Sequence, residues 1–227
     1  MNRAQPKILL TGFGPFPGVP HNITGQYVEA LAAAVRRSYR SIEVQSQCLP
    51  TAWQEAPLQL EHLYYLHKPT IALHFGVSHL AKAIVVETTA KNCTGRADVQ
   101  GIAPELDYLV PGGAQELRAT VPVGRLVARV RKVGVPAVVS HDAGAYLCNA
   151  LLYHSIELMS ALEIHGQCGF IHLPVSLPQR STHDGARRKS GDLDFERSIV
   201  GGLEIVGTLL GLPPDAQRSR LLRPMMA

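Results

Sequence analysis

Cys148 lies in the segment Ala137-Val138-Val139-Ser140-His141-Asp142-Ala143-Gly144-Ala145-Tyr146-Leu147-Cys148-Asn149. An apolar, strand-like run ends near Ser140, a turn containing Gly144 follows, and a helix begins. This puts Cys148 in or near the first turn of that helix. First-turn N–H groups lack acceptors and the helix end carries partial positive charge, so thiolate is favoured over thiol. A free cysteine titrates at about 8.5, and helix starts or a neighbouring histidine lower that to roughly 3.5–7.5. The same amides can hold an oxyanion. The competing role for any such residue is a buried cysteine that only packs a helix face.

A cysteine nucleophile needs a base. His172 in Gly169-Phe170-Ile171-His172-Leu173-Pro174 ends a short buried strand that Pro174 stops. Glu87 in Ala83-Ile84-Val85-Val86-Glu87-Thr88-Thr89-Ala90-Lys91-Asn92 is an acid inside a β-branched run. Carboxylates are rarely buried unless paired, so Glu87 is either the group that orients His172 or an exposed position on a half-buried strand. The glycine-containing turn Thr11-Gly12-Phe13-Gly14-Pro15-Phe16-Pro17-Gly18, with Asn22 after it, fits a phosphate cradle poorly. Pro15 and Pro17 remove N–H donors, and the G-x-G-x-x-G spacing is missing. Phe13 and Phe16 instead offer two aromatic faces for a small, flat, uncharged ligand, or else they pack a core around a tight turn.

The elements that must position these residues alternate along the chain. Strands are expected at Lys7–Phe13, Ile42–Leu49, Thr70–Gly76, Ile84–Thr89, Ala137–Ser140 and Gly169–Leu173. Helices are expected at Gly25–Ser38, Thr51–His67 (with Thr51 as N-cap), Val123–Val133, Tyr146–Ala161 and Phe195–Leu210. Residues Asn92 to Gly113 carry Gly, Pro and Asp at short intervals and read as a long functional loop. Such alternation predicts an α/β fold, a mostly parallel sheet with helices on both faces, and ligands beyond the carboxyl ends of its strands.

At 227 residues the chain is expected to form a single domain spanning 1–227. With 46% hydrophobic and 18% charged residues it is globular in composition rather than disordered. No apolar run approaches the roughly 20 residues that cross a bilayer, and no signal-peptide pattern opens the sequence, so a cytoplasmic protein is expected. Net charge is +4 and aromatics are 6%, without a basic stripe, which argues against nucleic acid as a partner. Arg187-Arg188-Lys189 reads as a solvated loop. Cys48, Cys93, Cys148 and Cys168 form no C-x-x-C pair, so neither a zinc site nor a thioredoxin-like motif is signalled. Cys168 lies four residues before His172, on the same strand face, and is expected to be core.

Together these segments resemble the pyroglutamyl peptidase I (pyrrolidone-carboxylate peptidase) family of cysteine peptidases, in matching order from Ile8 to about Pro174. The family pattern T-G-F-x-P-F-x-G with a following Asn is similar to Thr11–Gly18 and Asn22. Its I-T-x-E-R-x-A-x-N segment looks like Ile84–Asn92. Its S-x-x-A-G-x-x-x-C-N segment looks like Ser140–Asn149, and its G-F-I-H-x-P segment is Gly169–Pro174. The resemblance implies a three-layer α/β/α sandwich around a twisted, mostly parallel sheet. It implies removal of N-terminal 5-oxoproline from peptides by Cys148 as nucleophile, His172 as base and Glu87 as acid, without metal or organic cofactor. It also implies a homo-oligomer, dimer or tetramer, and puts Phe13, Phe16, Asn22 and Val77 on the substrate side.

The sequence departs from the family pattern around that side. Thr88 replaces the usual Arg, Lys91 replaces an apolar residue, Val77 replaces a polar one, and Arg96-Ala97-Asp98-Val99-Gln100-Gly101 is shorter than the family's A-R-I-P-D-N-x-G. Three other readings follow from the residues: a same-fold cysteine amidohydrolase for another small amide, a non-catalytic binding homologue, and a nucleoside phosphorylase-like enzyme. The last would need arginines cradling phosphate at strand ends, which the sequence does not supply.

Overall fold

The structure, a computed structural model, describes residues 5–39, 41–177 and 193–212. The Arg187–Lys189 segment lies outside the described residues. Eight strands and five helices follow in the order β1 (Lys7–Phe13), α1 (Thr24–Ser38), β2 (Glu43–Leu49), α2 (Glu55–His67), β3 (Ile71–Ser78), β4 (Ile84–Glu87), β5 (Thr89–Lys91), β6 (Glu116–Arg118), α3 (Val123–Lys132), β7 (Ala137–Ser140), α4 (Leu147–Ala161), β8 (Gln167–Pro174) and α5 (Phe195–Leu209).

Six strands form one sheet in the order β2-β1-β3-β8-β4-β7. Alternate residues of each strand serve opposite faces. Ile8, Leu10, Leu73, Phe75 and Ile171 pack with α1, α3 and α5, through residues such as Val28, Leu31, Leu126 and Ile199. Leu9, Ala72, Cys168 and Phe170 pack with α2 and α4, through Leu60, Leu151 and Leu152. The architecture is therefore the expected three-layer α/β/α sandwich. Cys168 is fully buried in the second core, as expected of it.

The sheet differs from simple parallel alternation in one respect. β4 pairs antiparallel with β8, with Val85 opposite His172, and parallel with β7, with Glu87 opposite Ser140. β4 and β7 thus run against the other four strands. The consequence is local: extending the β4–β8 register sets Glu87 opposite Phe170, one diagonal step from His172 on the same face.

Several boundaries move for identifiable reasons. The expected strand 84–89 breaks after Glu87, and Thr89–Lys91 pairs instead with Glu116–Arg118 in a separate two-stranded sheet. Thr51 is not the cap of α2. That helix starts at Glu55 behind Gln54, because the Thr51 hydroxyl donates to the Gly14 carbonyl at 3.1 Å and Asp98 accepts the Trp53 N–H at 2.8 Å. Segment 92–113 is irregular but anchored. The Asn92 amide oxygen accepts from the Leu109 and Val110 N–H groups at 2.8 and 2.9 Å, and its NH2 donates to the Val110 carbonyl at 2.8 Å.

A chain of buried polar groups ties four elements together beneath the site. His74 on β3 bonds Thr11 Oγ1 on β1 through Nδ1 and Ser155 Oγ on α4 through Nε2, each at 2.8 Å, and Ser155 meets the Tyr64 hydroxyl on α2. Burial pushes His74 down to about 3, so the ring is neutral, with one nitrogen donating and the other accepting. An unfolded histidine takes up a proton near its ordinary value of about 6.5 whereas folded His74 resists it. The stability it supports is whole above that value and erodes as pH falls toward 3, at about 1.4 kcal/mol per pH unit. Urea unfolding between pH 7 and 4.5 should therefore fall more steeply for the native protein than for His74→Gln. Parallel slopes would contradict this account.

Candidate active site

The first wall of the site is built by the turn after β1. Gly12 lets β1 cross α1, since a Cβ there would overlap the Thr24 carbonyl. Thr24 Oγ1 accepts the Phe13 N–H at 2.9 Å, so the strand end is clamped to the helix start. Asn22 donates to the Gly14 carbonyl at 3.0 Å, and its oxygen accepts from the Thr24 N–H and hydroxyl at 3.1 and 2.8 Å. Phe16 and Val19 close a small bridge with Gly18 at φ +87°, a conformation suited to glycine. Phe13, Phe16, Asn22 and Val77 all line one cleft of about 710 Å³. Much of Asn22's bonding capacity is committed to shaping the turn.

Cys148, His172 and Glu87 line the same cleft. Cys148 is the second residue of α4 and is half-buried. Its cap residue Tyr146 supplies no side-chain acceptor, which leaves the first-turn amides to other partners. Asn149, fully buried, holds this helix start. Its NH2 donates to the Lys91 carbonyl at 2.8 Å and its oxygen accepts the Lys91 N–H at 2.7 Å. The sulfur rests directly on β3: a Cβ at Gly76 would stand 2.9 Å from Cys148 Sγ and 2.8 Å from Phe170 Cζ. Gly76 is thus the seat of the thiol, a role that its strand-ending position did not reveal.

Glu87 and His172 meet at 2.8 Å, Oε1 to Nδ1, and both are buried. The Phe170 ring packs against the imidazole at 4.9 Å between centroids. Burial works against the charged imidazole, but Cys148 beside it and the Glu87 carboxylate outweigh that cost and raise His172 to about 10. The second carboxylate oxygen of Glu87 is buried and has no hydrogen-bond partner. Burial pushes the thiols of Cys168, Cys93 and Cys48 up, the last helped by Glu29.

Two of the positions that depart from the family pattern have polar partners here. Thr88 Oγ1 bonds His141 Nδ1 at 2.8 Å, and Lys91 pairs with Asp142 at 3.1 Å. Both tie the strand that carries Glu87, or its continuation, to the loop before Cys148. Sequence reasoning missed a third feature of the cleft. Arg96 lies over the Tyr146 ring at 4.9 Å, and Trp53 packs edge-on against the same ring at 5.4 Å. Among the described residues no cluster of three metal-ligating side chains occurs, and no helix is long and apolar enough to cross a membrane.

Comparison with known proteins agrees with this geometry. The model of the family described as pyroglutamyl peptidase matches residues 6–205. Pyrrolidone-carboxylate peptidase of Oceanobacillus iheyensis is 32% identical over 171 residues, covering 75% of this chain and 84% of the relative. The protein of that name from Halalkalibacterium halodurans is 33% identical over 178 residues, covering 78% and 87%. Among solved structures, pyrrolidone carboxyl peptidase of Thermococcus litoralis superposes with a TM-score of 0.79 at 26% identity, covering 91% of this chain and 94% of that one. Pyroglutamyl peptidase I of Bacillus amyloliquefaciens gives 0.76 at 28% identity, covering 90% and 96%. With the whole described sheet inside the matched region, the chain belongs to the pyroglutamyl peptidase family of cysteine peptidases.

Proposed function

We propose that the chain cleaves N-terminal 5-oxoproline from peptides with Cys148 as nucleophile, His172 as proton carrier and Glu87 as the residue that orients and charges His172. The observation that carries this reading is the buried 2.8 Å contact between Glu87 and His172, in the cleft that also holds the Cys148 sulfur. A raised His172 is a strong acceptor for the thiol proton, and taking it gives the thiolate. The thiolate attacks the carbonyl that joins 5-oxoproline to the next residue. The carbonyl oxygen becomes an oxyanion, for which the uncapped amides at the start of α4 serve as donors. Collapse breaks the C–N bond, and the departing amine takes the proton from His172. A thioester remains. Neutral His172 then removes a proton from water, which attacks the thioester, releases 5-oxoproline and restores Cys148.

The lactam carries no charge, and Phe13, Phe16 and Val77 supply apolar surface for it. Asn22 acts mainly by holding the turn that presents the two phenylalanines. The family's homo-oligomeric habit is proposed for this chain too, as is a location in the cytoplasm.

Three outcomes test the mechanism. Cys148→Ala should abolish hydrolysis of a fluorogenic pyroglutamyl amide, and residual turnover above about 1% would move the nucleophile elsewhere. Glu87→Gln should cost roughly 100-fold in kcat or more, because the imidazolium loses its carboxylate. Without that carboxylate His172 releases its proton more easily, so the alkaline limb of the pH–rate profile should move to lower pH. A limb unmoved or moved upward would rule out this role for Glu87. Gly76→Ala should displace the sulfur or Phe170, lowering kcat at least about tenfold and stability by about 1–3 kcal/mol. Turnover equal to wild type in a folded Gly76→Ala protein would show that the thiol does not depend on this seat.

A further inference from the structure

Charge in the cleft is matched almost everywhere. Glu87 is paired with His172, and Asp142 with Lys91. Arg96 is the exception: it lines the same cleft, is exposed, and makes no ion pair with a carboxylate among the described residues. It is nonetheless held in place. Its guanidinium lies over Tyr146, two residues before the nucleophile, and its carbonyl accepts the Trp53 Nε1–H at 2.9 Å. The backbone on either side is fixed as well. A Cβ at Gly95 would overlap the Ala145 carbonyl, and Asp98 accepts N–H groups of Trp53, Gln100 and Ile102 at 2.8, 2.8 and 3.0 Å. A stacked guanidinium keeps its outward N–H groups free, in the planar fork that suits a carboxylate.

We infer that Arg96 recognises a carboxylate on the leaving side of the scissile bond, making this enzyme selective for short or acidic pyroglutamyl peptides. The inference rests on the hydrolysis proposed above. The acyl half of the bound substrate is an uncharged lactam, so a standing carboxylate for Arg96 comes from the departing half. There it is either the free C-terminal carboxylate of a dipeptide or an acidic side chain beside the bond. Both present the same chemistry at slightly different reach.

The test uses three substrates of the intact protein: pyroglutamyl-alanine, pyroglutamyl-glutamate amide and neutral pyroglutamyl-alanine amide. For the wild type, kcat/KM should be higher for at least one anionic substrate than for the neutral one, chiefly through KM, and that preference should shrink in high salt. In Arg96→Gln the anionic-to-neutral ratio should fall about tenfold, the size expected for losing a charge-assisted hydrogen bond. Whichever anionic substrate loses its advantage identifies the carboxylate. An equal loss on all three substrates would assign Arg96 to the chemistry or the fold and overturn the inference, as would a wild type with no anionic preference. Failure of the wild type to cleave any of the three would overturn the proposed activity, and this inference with it.

Discussion

Burying a carboxylate beside an imidazole inside a sheet demands that the strands bearing them be neighbours and that both side chains emerge on one face. The Glu87–His172 contact meets both demands through the reversed course of β4. Had β4 run parallel to β8 with Val85 still opposite His172, Glu87 would have stood opposite Pro174, at the very end of β8. Reversal brings Glu87 back to the level of Phe170, and a single diagonal step then reaches His172. The same reversal sends β7 in the direction of β4, and a short loop joins its end to α4. That loop is where Asp142, Gly144 and Tyr146 join Cys148 in lining the cleft.

A charged pair at this depth is costly unless it is matched. The match extends past the two residues in contact, because Cys148 also raises His172. His172 thus holds its proton between two partners, Glu87 and Cys148. Much of the wall around them is apolar, as Phe13, Phe16, Val77 and Val85 are. Glycine is required where backbone and sulfur compete for the same space, and Gly76 yields that space on the strand paired with His172.

Much of the site was legible in the sequence because its residues are rare in their settings. An acid within a β-branched run, a histidine before a strand-stopping proline and a cysteine at a helix start each violate the ordinary distribution of polar groups. The layers were legible too, since strand and helix periodicities are local. Pairing direction is not local, and nothing in Ile84–Glu87 itself states that the strand is reversed. Thr51 shows the complementary limit. A threonine ahead of an apolar-periodic run is a sound capping signal, but the Gly14 carbonyl, 37 positions away, takes its hydroxyl. Arg96 was equally hidden. Its stacking on Tyr146 depends on Gly95 fitting against Ala145, a contact between distant segments that periodicity cannot report.

Two buried histidines on one face of this sheet show that burial alone does not decide charge. His74 is opposite Phe170 in the β3–β8 register, and His172 lies two residues further along β8, opposite Gly76. Hydroxyl groups surround His74: Thr11 and Ser155 bond its two nitrogens and neither can balance a proton's charge. Desolvation therefore prevails and the ring stays neutral. His172 has the same desolvation working against it, but a carboxylate and a thiol stand where His74 has hydroxyls, and the balance reverses. The neutral ring can be placed deep, where it ties β1, β3, α2 and α4 together without carrying charge. The charged ring must sit where a substrate can reach the sulfur beside it, at the cleft. The difference between the two imidazoles is thus made by the partners that two strands, β1 and β4, and one helix, α4, bring to them.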